Sequence, residues 1–451
     1  MNVAPKLSLS RLRSGTTAML TPPTDFRRRA AAVNTSRTAK CLSIAVVLSF
    51  FTVARADNWP QWRGLKNDGH SAEKNLPVEW NAEKNVLWKL PMPGHGSSTP
   101  CVWEDKIFLT SLDGENVMLL CIGTDGKVKW KERIAGTVKA GRGDEGDAAS
   151  ASCSTDGKHV WTFAGNGTLV CFTVDGKKVW ENDLQKYGKF AIQFGCHWTP
   201  VLYKDKLYLQ VMHRGAQLIV ALDAATGNEL WKVSRPGYGK GESPDTYSSP
   251  FMWEGKGGPL LVAHGNDYCT GHKIEDGTEV WRVAGLNPNT NGAWRFVSSP
   301  LVTPELIVVP SCKNGPVVAF NPVGAKGEIN PDNKAELWRF KSTPDVVPPI
   351  VVDGIVYLMD NGPLTAVDAK TGQQFYREQL HKQIYRGNMV AADGKIYVVG
   401  RDGVGQVVKA GKEFKLLATN DLKEKVYASP AIADGRIYIR TWDNLYCIGT
   451  K

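Results

Sequence analysis

Between Ala221 and Trp231 the chain reads Ala-Leu-Asp-Ala-Ala-Thr-Gly-Asn-Glu-Leu-Trp. An apolar run, Leu218 to Leu222, ends at Asp223. The turn Ala224-Ala225-Thr226-Gly227 follows, where glycine supplies the positive φ of a tight turn. A second short strand then ends on Trp231. One hairpin of this kind says little; its recurrence constrains the fold more than any other feature. Further copies close on Trp130, Trp180, Trp281 and Trp338, and Ala366 to Tyr376 is a diluted copy. From Trp130 the steps are 50, 51, 50 and 57 residues.

Two more markers keep the same phase. Ser98-Thr99-Pro100, Trp198-Thr199-Pro200, Ser248-Ser249-Pro250, Ser298-Ser299-Pro300 and Ala428-Ser429-Pro430 each open a strand, a place that tolerates a missing N–H. Asp156-Gly157, Asp353-Gly354, Asp393-Gly394 and Asp434-Gly435 are turns entering β-branched and aromatic strands. Each unit therefore gives four strands. A 40–50-residue period of four strands is the signature of a β-propeller. The aromatics Trp88, Trp130, Trp180, Trp231, Trp281, Trp338 and Tyr376 are read as docking residues. They sit on the outer strands and cover the gap to the next blade.

Counting first strands near Pro100, Cys153, Pro200, Pro250, Pro300, Pro349, Val390 and Pro430 gives eight blades, and seven if the weak unit around Phe414 to Leu417 is discounted. Asn85 to Lys89, with Trp88, matches a fourth strand that has no preceding three. The C-terminus supplies those three between Ala428 and Ile448. The N-terminal strand is expected to complete the last blade and close the ring, which leaves no open sheet edge. The expected organisation is a signal region at 1–56, a turn-rich strap at 57–84 and the propeller at 85–451.

The net charge of +10 is misleading. Residues 1–56 hold nine Lys/Arg and one acid, and the rest has 46 basic against 44 acidic residues. That near-neutral balance gives no argument for nucleic acid or an anionic membrane. Arg37 and Lys40, the apolar run Cys41 to Val53, and Ala54-Arg55-Ala56 read as a secretory signal. The apolar run is too short to span a bilayer. Cleavage after Ala56 would deliver the chain to the periplasm, the cell surface or the medium, with no transmembrane span and as an expected monomer.

These residues resemble the PQQ-like (pyrroloquinoline-quinone) repeat family in its secreted bacterial form. The family's Ala-x-Asp-x-x-x-Gly-x-x-x-Trp hairpin is matched in full by Ala221, Asp223, Gly227 and Trp231. The opening Trp59-Pro60-Gln61-Trp62-Arg63-Gly64 is similar to the start of secreted members. The resemblance implies the propeller fold and spans quinone-dependent dehydrogenases as well as the non-catalytic propeller of outer-membrane barrel assembly, so it does not fix an activity.

A dehydrogenase of that family implies an adjacent Cys-Cys pair, an acidic base and Glu/Asn/Asp ligands for Ca²⁺. No Cys-Cys pair occurs. Asp144, Glu145 and Asp147 are candidate oxygen ligands, read more simply as a Gly-rich loop, and Arg142-Gly143-Asp144 as a chance adhesion tripeptide. Eight cysteines follow residue 56, an even number that invites disulfides. Cys121, Cys171 and Cys447, however, occupy the slot held elsewhere by Ala221, Ala319 and Ala366, which reads as small buried core. There is no C-x-x-C, no H-E-x-x-H and no Gly-x-Ser-x-Gly. Residues just before the innermost strands face the mouth of a propeller channel. On that ground His95, His197, Asp245, Arg295, Asp345, Arg386 and Lys425 are candidates for either a solvated rim or a small polar ligand's site. The expected role is non-catalytic binding of protein or glycan partners, without cofactor or metal. The alternative is a PQQ-dependent oxidoreductase carrying PQQ and Ca²⁺.

Overall fold

Each hairpin ending in tryptophan pairs a small residue with the indole at a bulge. Ala221 faces Trp231, Cys121 faces Trp130 and Cys171 faces Trp180, and the register slips immediately afterwards. The turn that follows is held by its aspartate: Asp223 Oδ1 accepts from Thr226 N and Thr226 Oγ1, both at 2.8 Å. This local chemistry repeats around a computed structural model that describes residues 57–136, 145–190, 194–341 and 344–450. The expected signal region at 1–56 and the Arg142-Gly143-Asp144 tripeptide lie outside those residues.

The described strands form eight sheets, seven of four strands and one of five. The first strands begin at Cys101, Ser154, Val201, Phe251, Leu301, Ile350, Val390 and Ala431. The propeller therefore has eight blades. The eighth is Ala431–Ala433, Arg436–Arg440 and Asn444–Ile448, completed by Val86–Pro91 from the other end of the chain. Trp88 pairs there with Cys447, in the register that Ala221 and Trp231 use in the third blade.

The indoles dock between blades. Trp88 Nε1 donates to Thr124 O at 2.9 Å, Trp130 to Val174 O at 3.0 Å, Trp180 to Ala224 O at 3.0 Å, Trp231 to Ile274 O at 3.1 Å and Trp338 to Ala369 O at 2.9 Å. Each ring lies over the turn glycine of the next blade: Gly126, Gly176, Gly227, Gly277 and Gly372 in turn. Those glycines are needed twice over, since φ lies between +71° and +90° and an added Cβ would sit 2.7–3.0 Å from the ring. Tyr376 meets Phe414 edge-on at 5.6 Å.

Trp281 departs from the set. The fifth strand of its sheet, Gly327–Ile329, runs parallel to Glu279–Val283 and places Gly327 beside Trp281. That strand belongs to the longer hairpin behind the 57-residue step. It covers Trp281, which is fully buried over Gly271 and Phe320 instead of capping a turn.

Residues 57–84 cross the propeller. Trp59 pairs with Val102 of the first blade, Pro60 O accepts from Thr155 N of the second, and Trp62 packs on Phe251 of the fourth. Arg63 Nη2 donates to Pro349 O before the sixth, and Gly69 and Ser71 bond Ala391 of the seventh. Trp80 stacks on Tyr397 of that blade.

Candidate functional site

Four residues before each first strand, the eight blades place Ser97, Ser150, His197, Tyr247, Val297, Val346, Arg386 and Tyr427. All eight line one axial cavity of about 270 Å³. Extended chain alternates its faces, so positions two and four residues before the strand look the same way. Thr99, Ser152, Asn388 and Ser429, two residues before their strands, also line it. Trp62 of the crossing segment completes the wall.

The charged groups are largely committed to one another. Glu145 accepts from Arg386 Nη2 at 2.8 Å and from Arg401 Nη1 at 3.4 Å. Arg295 is bonded to Glu242, and its guanidinium lies 4.4 Å over the Phe194 ring. His197 is half-buried with Nε2 2.5 Å from Phe194 O. Burial holds its imidazole pKa below the usual histidine value, against the pull of that carbonyl, Asp147 and Glu145. Asp345 Oδ1 receives the Cys312 thiol at 3.8 Å.

Of the sequence candidates, His197, Arg295, Asp345 and Arg386 come together on the cavity wall. His95, Asp245 and Lys425 do not. His95 is about half exposed and rests on Trp442 at 4.5 Å, and Lys425 Nζ lies 4.6 Å over the same ring. Asp245 is buried beside the cavity, 3.0 Å from Arg214, and burial pushes its carboxyl up against that cation's pull. These three stand six residues before their strands, about 7 Å further out than the lining positions. Arg295 shares that position and reaches back through its long side chain. Of the lining residues not singled out from the sequence, Tyr247, Tyr427 and Asn388 become visible once the chain is aligned on the strand starts, whereas Trp62 lies outside the repeat.

A quinone held with Ca²⁺ needs converging oxygen donors. Among the described residues no three His, Cys, Asp or Glu side chains come close enough to hold a metal ion. Of the loop candidates, Asp144 lies outside the described residues, Glu145 is held by two arginines, and Asp147 accepts from Ser97 Oγ and Ala149 N at 2.7 Å each. The cysteines are dispersed and free. This donor set does not fit the quinone–calcium pair.

A family model described as outer membrane protein assembly factor BamB matches residues 124–245, 165–329, 215–383, 324–413 and 360–448. BamB of Burkholderia pseudomallei is 31% identical over 96 residues, 21% of this chain and 24% of that protein. BamB of Yersinia pestis is 23% identical over 294 residues, 63% of this chain and 69% of that protein. The chain thus spans about a quarter of the first relative and just over two thirds of the second. A europium-containing methanol dehydrogenase superposes with a TM-score of 0.65 at 11% identity, covering 87% of this chain and 98% of its own, a likeness of fold alone. With overlapping matches from residue 124 to residue 448, the chain belongs to the BamB-type PQQ-like β-propeller repeat family.

Proposed function

We propose that this protein is an exported, non-catalytic propeller of the cell envelope that binds protein partners during assembly of the outer membrane. The observation that carries the reading is the pairing inside the axial cavity. Glu145, Arg386 and Arg295 are neutralised by partners, and His197 is held by a backbone carbonyl. The two carboxylates on the cavity wall are engaged as well, Glu145 by the two arginines and Asp345 by the Cys312 thiol. The periphery offers binding surface instead. Val128, Val179, Leu230, Leu337 and Leu416 are each more than 40% exposed on the outer strands or at their edges. The descriptions of the matched family and relative, outer membrane protein assembly factors, support the envelope location and the assembly role.

The oxidoreductase reading is favoured by one feature, the indole of Trp62 on the cavity wall, and opposed by the donor set. One experiment separates the two. Removing the gene from its host should lower the amount of folded β-barrel protein in the outer membrane. The purified protein, given PQQ, Ca²⁺ and an artificial electron acceptor, should oxidise no alcohol. Alcohol-dependent reduction of the acceptor, with barrel proteins unchanged in the deletion strain, would reverse the assignment.

A further inference from the structure

Two residues before the first strand, in six of the eight blades, a side chain accepts the backbone N–H of the corresponding residue in the preceding blade. Asn388 N bonds Ser429 Oγ at 2.9 Å, Ser429 N bonds Thr99 Oγ1 at 3.2 Å, and Thr99 N bonds Ser152 Oγ at 2.9 Å. Ser152 N bonds Thr199 Oγ1 at 3.2 Å, Thr199 N bonds Ser249 Oγ at 2.9 Å, and Ser249 N bonds Ser299 Oγ at 3.1 Å. The sixth blade breaks this ring, because the equivalent residue is Pro348. Proline has neither an N–H to give Asn388 nor a hydroxyl to receive Ser299 N.

The break leaves Asn388 with an unused amide. The residue is 2% exposed, its Oδ1 and Nδ2 both lack partners, and it lines the axial cavity. A buried amide with neither its donor nor its acceptor met is costly. The wall around it combines aromatic faces and hydroxyls with the Asp345 carboxylate, which receives the Cys312 thiol. Trp62, Phe194, Tyr247 and Tyr427 offer rings, and Ser97 and Ser150, whose hydroxyls donate to Asp147, offer oxygens as acceptors. The two lining arginines, Arg295 and Arg386, are balanced by Glu242 and Glu145. A cavity of about 270 Å³ lies just below the range that holds drug-sized ligands.

We propose that this cavity binds a small neutral saccharide, anchored by the Asn388 amide in the gap that Pro348 leaves in the inter-blade ring. A sugar hydroxyl both donates and accepts, which matches an amide presenting one of each. The apolar face of a pyranose suits the aromatic wall. An anion finds no unpaired cation there, and a zwitterion would have to break the Glu145–Arg386 pair. The saccharide site is separate from protein binding at the periphery, and either stands if the other fails.

Calorimetric titration of the full chain tests the proposal, with N-acetylglucosamine, glucose and cellobiose as probes and with PQQ plus Ca²⁺ and L-glutamate as charged comparators. At least one neutral sugar should bind at one site with a millimolar or lower Kd. Asn388→Leu should weaken it about tenfold, the loss of one to two neutral hydrogen bonds. That variant should melt no lower than the parent, because it removes an unpaired polar group. Pro348→Ser restores both an N–H for Asn388 and an acceptor for Ser299, so it should raise the melting temperature and weaken the sugar. Pro348→Ser alone carries the test if the leucine variant does not fold. The proposal is overturned if no neutral sugar binds, if PQQ or glutamate binds in their place, or if affinity is unchanged in the folded variants.

Discussion

Cys447 faces Trp88 across the seam where the two ends of the chain meet. Cys121 faces Trp130 and Cys171 faces Trp180 in the same register, and in other blades alanine or glycine does so. The position needs a small side chain beneath an indole at a bulge, and a thiol serves as such a filler.

All eight cysteines of the described residues are free and buried. Burial pushes the Cys153, Cys171, Cys269, Cys312 and Cys447 thiols up to about 12. At pH 8 almost no thiolate is present to react. A thiol-specific aromatic disulfide should therefore label none of them in the native protein, and all eight after unfolding in guanidinium without reductant. Fewer than eight would mean that some are bridged.

Gly227 and Gly354 separate two reasons for glycine. Their φ values are +74° and +75°, but a Cβ on Gly227 would lie 2.7 Å from the Trp180 ring, while Gly354 has open space around it. Gly354→Ala should cost about 1–2 kcal/mol for the left-handed backbone alone. Gly227→Ala should cost about 1–3 kcal/mol more, because the docked indole must move. Urea denaturation of both variants measures the difference, and equal costs would show that the indole docking does not depend on that glycine.

The hairpins, blade count and ring closure were legible in the sequence because each rests on local chemistry repeated in phase. The cavity was only partly legible. Counting back from the prolines to His95, Asp245 and Lys425 overshot the wall by two residues, because the conformation leading into each first strand is set by neighbouring blades rather than by local sequence. Trp62 was unreadable as a wall residue, since only the path of its segment across the axis brings it there. Asn388 gained meaning only when aligned with Pro348, two residues that share no similarity and differ in what they can donate.

Glu424 ties the seam together. Its carboxylate accepts from Lys89 at 2.8 Å, Thr441 at 2.6 Å, Asn444 at 2.9 Å and Tyr446 at 2.6 Å. Burial alone would raise its pKa, but these bonds outweigh burial and hold it at about 2. The unfolded chain titrates near the ordinary glutamate value of about 4.3. Below that value the unfolded state takes up the proton first, so the stabilisation is complete above about pH 4.5 and is lost as pH falls towards 2. Glu424→Gln should melt lower than the parent at pH 7, and the gap should narrow from pH 4.5 downward. A gap independent of pH would mean that the carboxylate's charge contributes nothing at the seam.

Trp281 and Trp231 hold equivalent places in the repeat and should respond differently to removal. Trp231 is half-buried, lies over Gly277 and donates to Ile274 O at 3.1 Å. Trp281 is fully buried, with its ring over Gly271, which has no side chain to move into a void, and edge-on to Phe320 at 4.9 Å. Trp281→Ala should leave a cavity that its neighbours cannot fill and cost about 3–5 kcal/mol. Trp231→Ala exposes a surface groove that water can enter, and should cost about 2 kcal/mol. Trp231→Phe keeps the ring face over Gly277 and loses the indole N–H bond, at a cost of about 1 kcal/mol. Guanidinium unfolding of the three variants gives the order directly. If Trp231→Ala proves the most damaging, the inter-blade indoles carry more of the stability than the buried one, and the inserted strand over Trp281 is dispensable cover.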